Sequence, residues 1–222
     1  MSFLQSLIET LPLLLDGLWI TIQICSLAAV MSLALAVPLV AGRRSNSRIA
    51  NTAVKTYVSL IRGLPVVIVV FLMYFGLPNA LDLGRVSAFW VGVIALSLNG
   101  AAFVSEVLRA AIESIHRGQW EASMSLGLTR FQMWLKVIVP QVIPVATPAL
   151  MGELTFLVKA SPVLSLITVV DLTRRAQQVS MQNFDPLTPM IAAAILYYVL
   201  LFTLTFLSSY IERQLDTPGH TK

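Results

Sequence analysis

The chain has 222 residues, 57% of them hydrophobic and only 12% charged. Soluble domains carry about a quarter charged residues, so a mean hydropathy of +0.81 excludes a water-soluble globular protein and defines an integral membrane protein. The net charge of +4 comes from bases in loops between apolar runs, which excludes a nucleic-acid surface. Cys25 is the single cysteine, so no intrachain disulfide can form, and it is read as a small buried hydrophobe. The start lacks a basic n-region, so the first span is expected to act as its own insertion signal.

Residues 3–15 place Phe3, Leu4, Leu7, Ile8 and Leu11 on one helical face and Gln5, Ser6 and Glu9 opposite. That pattern predicts an interfacial helix along the membrane. Residues 17–41 are uncharged and long enough to span with tilt, with Thr21, Gln23, Ser26 and Ser32 as packing groups. Arg43, Arg44, Arg48 and Lys55 follow with no acid between them. A second span is expected over 56–77, kinked by Pro65 near its start. After a short loop, the third span covers 86–105, where Ser97, Ala101 and Ser105 form a small-residue stripe suited to close helix approach. Its helix is expected to continue through Glu106, Arg109 and Glu113 to Ile115.

The central loop, 116–136, carries its own helix signals. Gly118 reads as a break. A short helix is expected from Gln119, with Glu121 in its first turn, where a carboxylate complements the helix dipole. Gly127 is placed to end that helix in a left-handed conformation. Thr129 and Gln132 have the spacing of a capping box, and Leu128 and Met133 that of a hydrophobic staple, so a second helix should begin at Arg130. The fourth span, 137–158, is interrupted by Pro140, Pro144 and Pro148. Prolines in a span require neighbours or a cavity to satisfy the freed carbonyls. Residues 162–170 are too few to span and read as re-entrant or interfacial. A polar loop is expected over 171–185 and a fifth span over 187–208, with Tyr197, Tyr198 and Tyr210 as packing or interface anchors. The tail from Glu212 is polar.

The bases set the orientation. Ten of the fifteen Lys and Arg residues fall in the loop 43–55, the central loop with Arg109 on the helix leading into it, and the tail, against four in the alternate loops. Five spans with the N-terminus outside and the C-terminus cytoplasmic are expected, with the central loop inside.

Trp120 to Pro140, WEASMSLGLTRFQMWLKVIVP, resembles the EAA loop of ABC-importer permeases. Glu121, Ala122, Gly127 and Pro140 fall on that family's fixed positions; Ser123, Val137 and Val139 are conservative departures. The resemblance reaches the polar amino-acid branch through Arg62-Gly63-Leu64-Pro65, Phe71 to Pro78, Ser97 to Gly100, Glu106 to Arg109, Gly118-Gln119, and Pro148-Ala149-Leu150 with Glu153 and Lys159. It covers roughly residues 17–212. One departure is clear: where the branch commonly has Lys-Asp-Thr-Ser, this chain has Lys159-Ala160-Ser161-Pro162, so roles attached to that Asp do not transfer.

The resemblance implies an all-α, five-span, type I ABC importer permease-like bundle with a cytoplasmic coupling helix. Glu121, Ala122, Ser123, Gly127 and Pro140 would then be the ATPase-coupling residues. The implied partners are two cytoplasmic ABC ATPases, a second permease (identical or paralogous), an extracytoplasmic amino-acid-binding protein and the lipid bilayer. ATP and Mg2+ would act on the partner ATPase, with no cofactor in this chain. The implied location is the bacterial cytoplasmic membrane.

No Gly-x-x-x-x-Gly-Lys-Ser/Thr occurs, so the chain has no P-loop, and His116 and His220 lack metal-ligand spacing. The remaining candidates are polar groups inside spans: Asn99, Glu153 and Lys159. A carboxylate in hydrocarbon is costly, so Glu153 should face the bundle interior, either contacting the ammonium of an amino acid in transit or hydrogen-bonding between helices. Lys159 is read first as snorkelling to headgroups. Two rival functions differ in what they require. An ion-coupled secondary transporter would need no ATPase and usually shows an internal repeat, and none is evident. A non-transporting scaffold would leave Glu121 and Gly127 without a task.

Overall fold

The computed structural model describes residues 3–82 and 84–215, with side chains from residue 9 onward. The expectations for the apolar face of residues 3–8 and for the end of the tail lie outside the described side chains. Every regular element among the described residues is helical: α1 Phe3–Arg43, α2 Arg48–Gly63, α3 Val66–Ala80, α4 Ala88–Glu113, α5 Arg117–Ser125, α6 Arg130–Ile167, α7 Leu172–Asn183 and α8 Leu187–Leu215. Four of them, α1, α4, α6 and α8, are long and apolar enough to cross a membrane, and α2 with α3 supplies a bent fifth.

The first departure from expectation is at the start. No break separates an interfacial helix at 3–15 from the span at 17–41, because α1 is continuous. Gly17 does not end a helix. It lets α1 touch the turn before α7, where a Cβ would stand 2.9 Å from both the Asp171 carbonyl oxygen and the Leu172 Cα. The second departure is larger. The span expected over 56–77 is not a kinked rod: α2 and α3 meet at 109°. Leu64, forced out of the helical region by the following proline, sits at φ −100°, ψ 139°, and Pro65 itself is extended at ψ 135°. Two consecutive extended residues turn the chain rather than tilt it.

Two π turns, Leu72–Gly76 in α3 and Trp134–Ile138 in α6, each end two residues before a proline, Pro78 and Pro140. A proline ring clashes with the carbonyl four residues back, and widening the preceding turn by one residue is a way to relieve it. The Gln141 amide donates to the Val137 carbonyl at 2.7 Å. Residues 161–167 form a tight 3-10 turn ending at left-handed Thr168. Leu164 and Ile167 are buried there in a core with Ile24, Val70, Leu96 and Leu157, so this piece is an interior connector rather than an interfacial one.

The polar loop expected at 171–185 is instead a helix, α7. The Asp171 carboxylate accepts from the Arg174 N–H at 2.9 Å as N-cap. Leu172, Ala176 and Val179, spaced as one helical face, are buried, and α7 packs on α1 and α8. The most extensive helix pair is α1 with α4. Ser97, Ala101 and Ser105 are all buried, and the Ser32 hydroxyl donates to the Ser97 carbonyl at 3.1 Å.

Asp171 is fully buried, and burial pushes its carboxyl up to about 6. Tyr197 donates to its second oxygen at 3.5 Å. Because the folded value is raised above the unfolded one, the folded form binds more protons between about pH 4 and 6 and gains stability as pH falls through that window. Asp171→Asn keeps an oxygen for the cap and removes the ionisation. Its expected result is a thermal stability in detergent that exceeds the parent's at pH 8 by on the order of 2–3 kcal/mol and no longer rises between pH 6 and 4.

Candidate docking helix and membrane cavity

The loop between α4 and α6 is built from three local devices. His116 is the N-cap of α5, its Nδ1 accepting from the Gly118 N–H at 3.1 Å. The helix therefore starts at Arg117, two residues before the expected Gln119, and Gly118 lies inside it. Glu121 consequently falls beyond the first turn, and its dipole role does not hold. At the other end Gly127 is left-handed at φ +69°. The Leu128 N–H donates to Ser123 O at 3.2 Å and the Gly127 N–H to Met124 O at 3.0 Å. Those two bonds form a Schellman closure. The reciprocal capping box follows: Gln132 N–H to Thr129 Oγ1 at 3.3 Å, and Thr129 N–H to Gln132 Oε1 at 3.0 Å. The second helix begins at Arg130, as expected.

Ser123 is buried, its hydroxyl donating to Gln119 O at 2.6 Å, while Glu121 and Ala122 face outward. Pro140 lies on α6 after the π turn. One apolar cluster anchors the loop to the spans, joining Val40 of α1 and Ile112 of α4 to Trp120, Leu128, Met133, Trp134 and Ile138. Around the hinge the opposite holds: Leu126 is 78% and Phe131 75% exposed, with Met124 and Leu135 beside them in sequence also exposed. Sequence reading passed over these four; their signal was apolar residues off the face that Trp120, Leu128, Met133 and Trp134 bury.

A second feature lies beside α4. Arg62, Phe103, Glu106, Arg109 and Glu153 line an open cavity of about 570 Å³. Arg62, Phe103 and Glu106 also border a neighbouring one of about 560 Å³ with Arg43 and Lys55. Arg109 is committed to both Glu106, at 2.7 Å, and Glu113, at 2.6 Å. The Arg62 guanidinium lies over the Phe103 ring, 5.2 Å from its centre. Of the three candidates inside spans, Glu153 borders the cavity. Asn99 is 2% exposed, its Oδ1 has no hydrogen-bond partner among the described residues, and it precedes Phe103 by one turn on α4. Lys159 is exposed on α6 just before its 3-10 turn. Among the described residues no group of three or more His, Cys, Asp or Glu side chains could hold a metal ion.

A helical membrane bundle that presents one capped, hinged helix outside its spans and a charged cavity between them has the form of a transport subunit. The chain belongs to the binding-protein-dependent transport system inner membrane component family, which matches residues 29–217. It is the permease of such an importer and lies in the inner membrane. It is 38% identical over 210 residues to the arginine transport system permease protein ArtQ of Bacillus subtilis (strain 168), covering 95% of each chain. It is 34% identical over 206 residues to the L-cystine transport system permease protein TcyB of the same organism, covering 92% of this chain and 87% of that one. Among solved structures, a chain of an amino acid ABC transporter with histidines superposes with a TM-score of 0.88 at 32% identity, over 96% of this chain and 99% of that one. A chain of the MetNI methionine ABC transporter in an inward-facing conformation gives 0.78 at 22% identity over 92% and 97%, a likeness of fold.

Proposed function

We propose that this chain is the translocating subunit of an ATP-driven importer for a polar amino acid or a close relative, and that α5 is the helix on which the ATPase docks. The observation that carries the reading is the exposed apolar rim, Met124, Leu126, Phe131 and Leu135, held by a left-handed Gly127 and a capping box. A loop that only joined two spans has no need to hold exposed apolar side chains on a rigid frame. Glu121 and Ala122 present the outer face of α5, Ser123 locks its inner face, and Pro140 sets the turn that aims α6. The assembly contains two permeases, this chain with an identical or paralogous copy, and two cytoplasmic ATPases that bind the ATP and Mg2+. An extracytoplasmic binding protein delivers substrate. The N-terminus is outside and the C-terminus cytoplasmic.

The substrate path passes the cavity at Glu153, with Asn99 buried one turn further along α4 behind it and Lys159 toward the outer end of α6. Opposite charges on its walls suit a zwitterion. The amino-acid names of the relatives support this class of substrate. Two measurements test the whole reading. The ATPase must co-purify with this chain and hydrolyse faster when the loaded binding protein is added. Single cysteines at Ser45 and Ser125 must be labelled only from the cytoplasmic side, and those at Asn79 and Gln178 only from outside. The reverse labelling pattern sinks the docking assignment together with the orientation.

A further inference from the structure

At the end of α1 one cation meets two tryptophans. The Arg44 guanidinium lies 5.6 Å from the centre of the Trp120 ring and 5.7 Å from that of Trp134. The two indoles meet edge to face, centres 5.5 Å apart at 81°. Trp120 belongs to α5 and Trp134 opens the π turn of α6, so the cage spans both limbs of the Gly127 hinge. Arg44 itself is held by the helix behind it, its N–H donating to Val40 O at 3.1 Å. Val40 is buried in the same apolar cluster as the two rings. No carboxylate among the described residues forms an ion pair with Arg44; the described pairs are those of Arg109. A planar, weakly hydrated guanidinium stacks on aromatic faces where a compact ammonium would stay in water.

We propose that Arg44 is a positioning residue for coupled transport, clamping the end of α1 to both limbs of the docking loop. Movement of α5 then carries α1 with it. Through the long α1–α4 contact that movement reaches Phe103, Glu106 and Arg109 in the cavity wall. The inference rests on the reading of α5 as the ATPase-docking helix. Ring faces suit the task because a cation can slide across them without a bond breaking, so the clamp holds distance while allowing rotation.

The test uses the whole complex in proteoliposomes with its binding protein, and reads substrate imported per ATP hydrolysed. Arg44→Met keeps the length and apolar stem and removes the cation. The ATPase should still co-purify and hydrolyse at the basal rate, while uptake per ATP falls about five- to ten-fold. Arg44→Lys should recover little of that ratio, because its hydrated ammonium does not stack on the two rings. An unchanged uptake per ATP in Arg44→Met overturns the clamp. A parallel Gly127→Val sample separates the two ideas. If it keeps its ATPase and its stimulation, the docking reading has failed. If it loses them while Arg44→Met transports normally, docking stands and the clamp has failed. Should Arg44→Met not accumulate, spin labels at Ser45→Cys and Ser125→Cys, with Cys25→Ala and Arg44 retained, give the answer directly. Their separation should hold to within about 2 Å between nucleotide-free and ATP-bound complexes. A larger change shows α1 and α5 moving independently and overturns the proposal.

Discussion

Gly127→Val is expected to leave the permease inserted and paired but to cut binding-protein-stimulated ATP hydrolysis about ten-fold or more. The cause is not a clash: a Cβ at Gly127 would meet nothing within 4 Å. It is the backbone, at φ +69°, where an L side chain costs roughly 1–2 kcal/mol and a β-branched one more. Relaxing that strain means abandoning the two closing bonds, from Leu128 N–H to Ser123 O and from Gly127 N–H to Met124 O. The angle between α5 and α6 then changes, and with it the spacing of Leu126 and Phe131 on the docking rim. A graded series separates conformation from size. Gly127→Asn, which tolerates the left-handed region, should retain most stimulation, Gly127→Ala should fall between, and Gly127→Val should be worst. Co-purification of the ATPase and its stimulated hydrolysis check all three. Equal activity across the series removes the hinge from the coupling step.

The loop between α4 and α6 was legible in the sequence because its devices are local. A Gly, a Thr–Gln pair three apart and their hydrophobic neighbours specify the Schellman closure and capping box within a dozen residues. Its first turn was not legible, since His116 caps through a ring nitrogen and is not among the usual capping residues. Helix α7 was hidden by composition: Thr173, Arg174, Arg175, Gln177 and Gln178 read as loop, while the burying set Leu172, Ala176 and Val179 is a narrow stripe of only three residues. Pro65 announced a bend, but its size of 109° depends on two successive extended residues, and periodicity carries no such angle. The cavity and the Arg44 cage join residues far apart in sequence. Glu153 stood out alone as an acid in a span, yet nothing in the chain order brings Arg62 to the same cavity.

That cavity supports the second large effect. Glu153→Gln should reduce uptake about ten-fold or more while assembly and basal hydrolysis stay normal. Arg109 is already held between Glu106 and Glu113, so it has little to offer a ligand. Glu153 and Arg62 differ. Neither forms an ion pair among the described residues, and Arg62 leans on Phe103 instead. The cavity, at about 570 Å³, falls in the range of sites that take small molecules, about 300–1,000 Å³. A free acid and a free base on its walls match the ammonium and carboxylate of an amino acid, and each such charge-assisted bond contributes about 1.5–3 kcal/mol. The amide of Gln keeps the shape of Glu153 and loses the charge. The loss should therefore appear as a raised KM for uptake with the ATPase still bound, and Arg62→Gln should raise KM in the same direction. Substrates lacking the α-ammonium should discriminate poorly between the parent and Glu153→Gln, because they lack the group that would pair with the carboxylate. If uptake and substrate preference are both unchanged, Glu153 does not face the path; if the complex fails to assemble, its carboxylate is holding helices together instead.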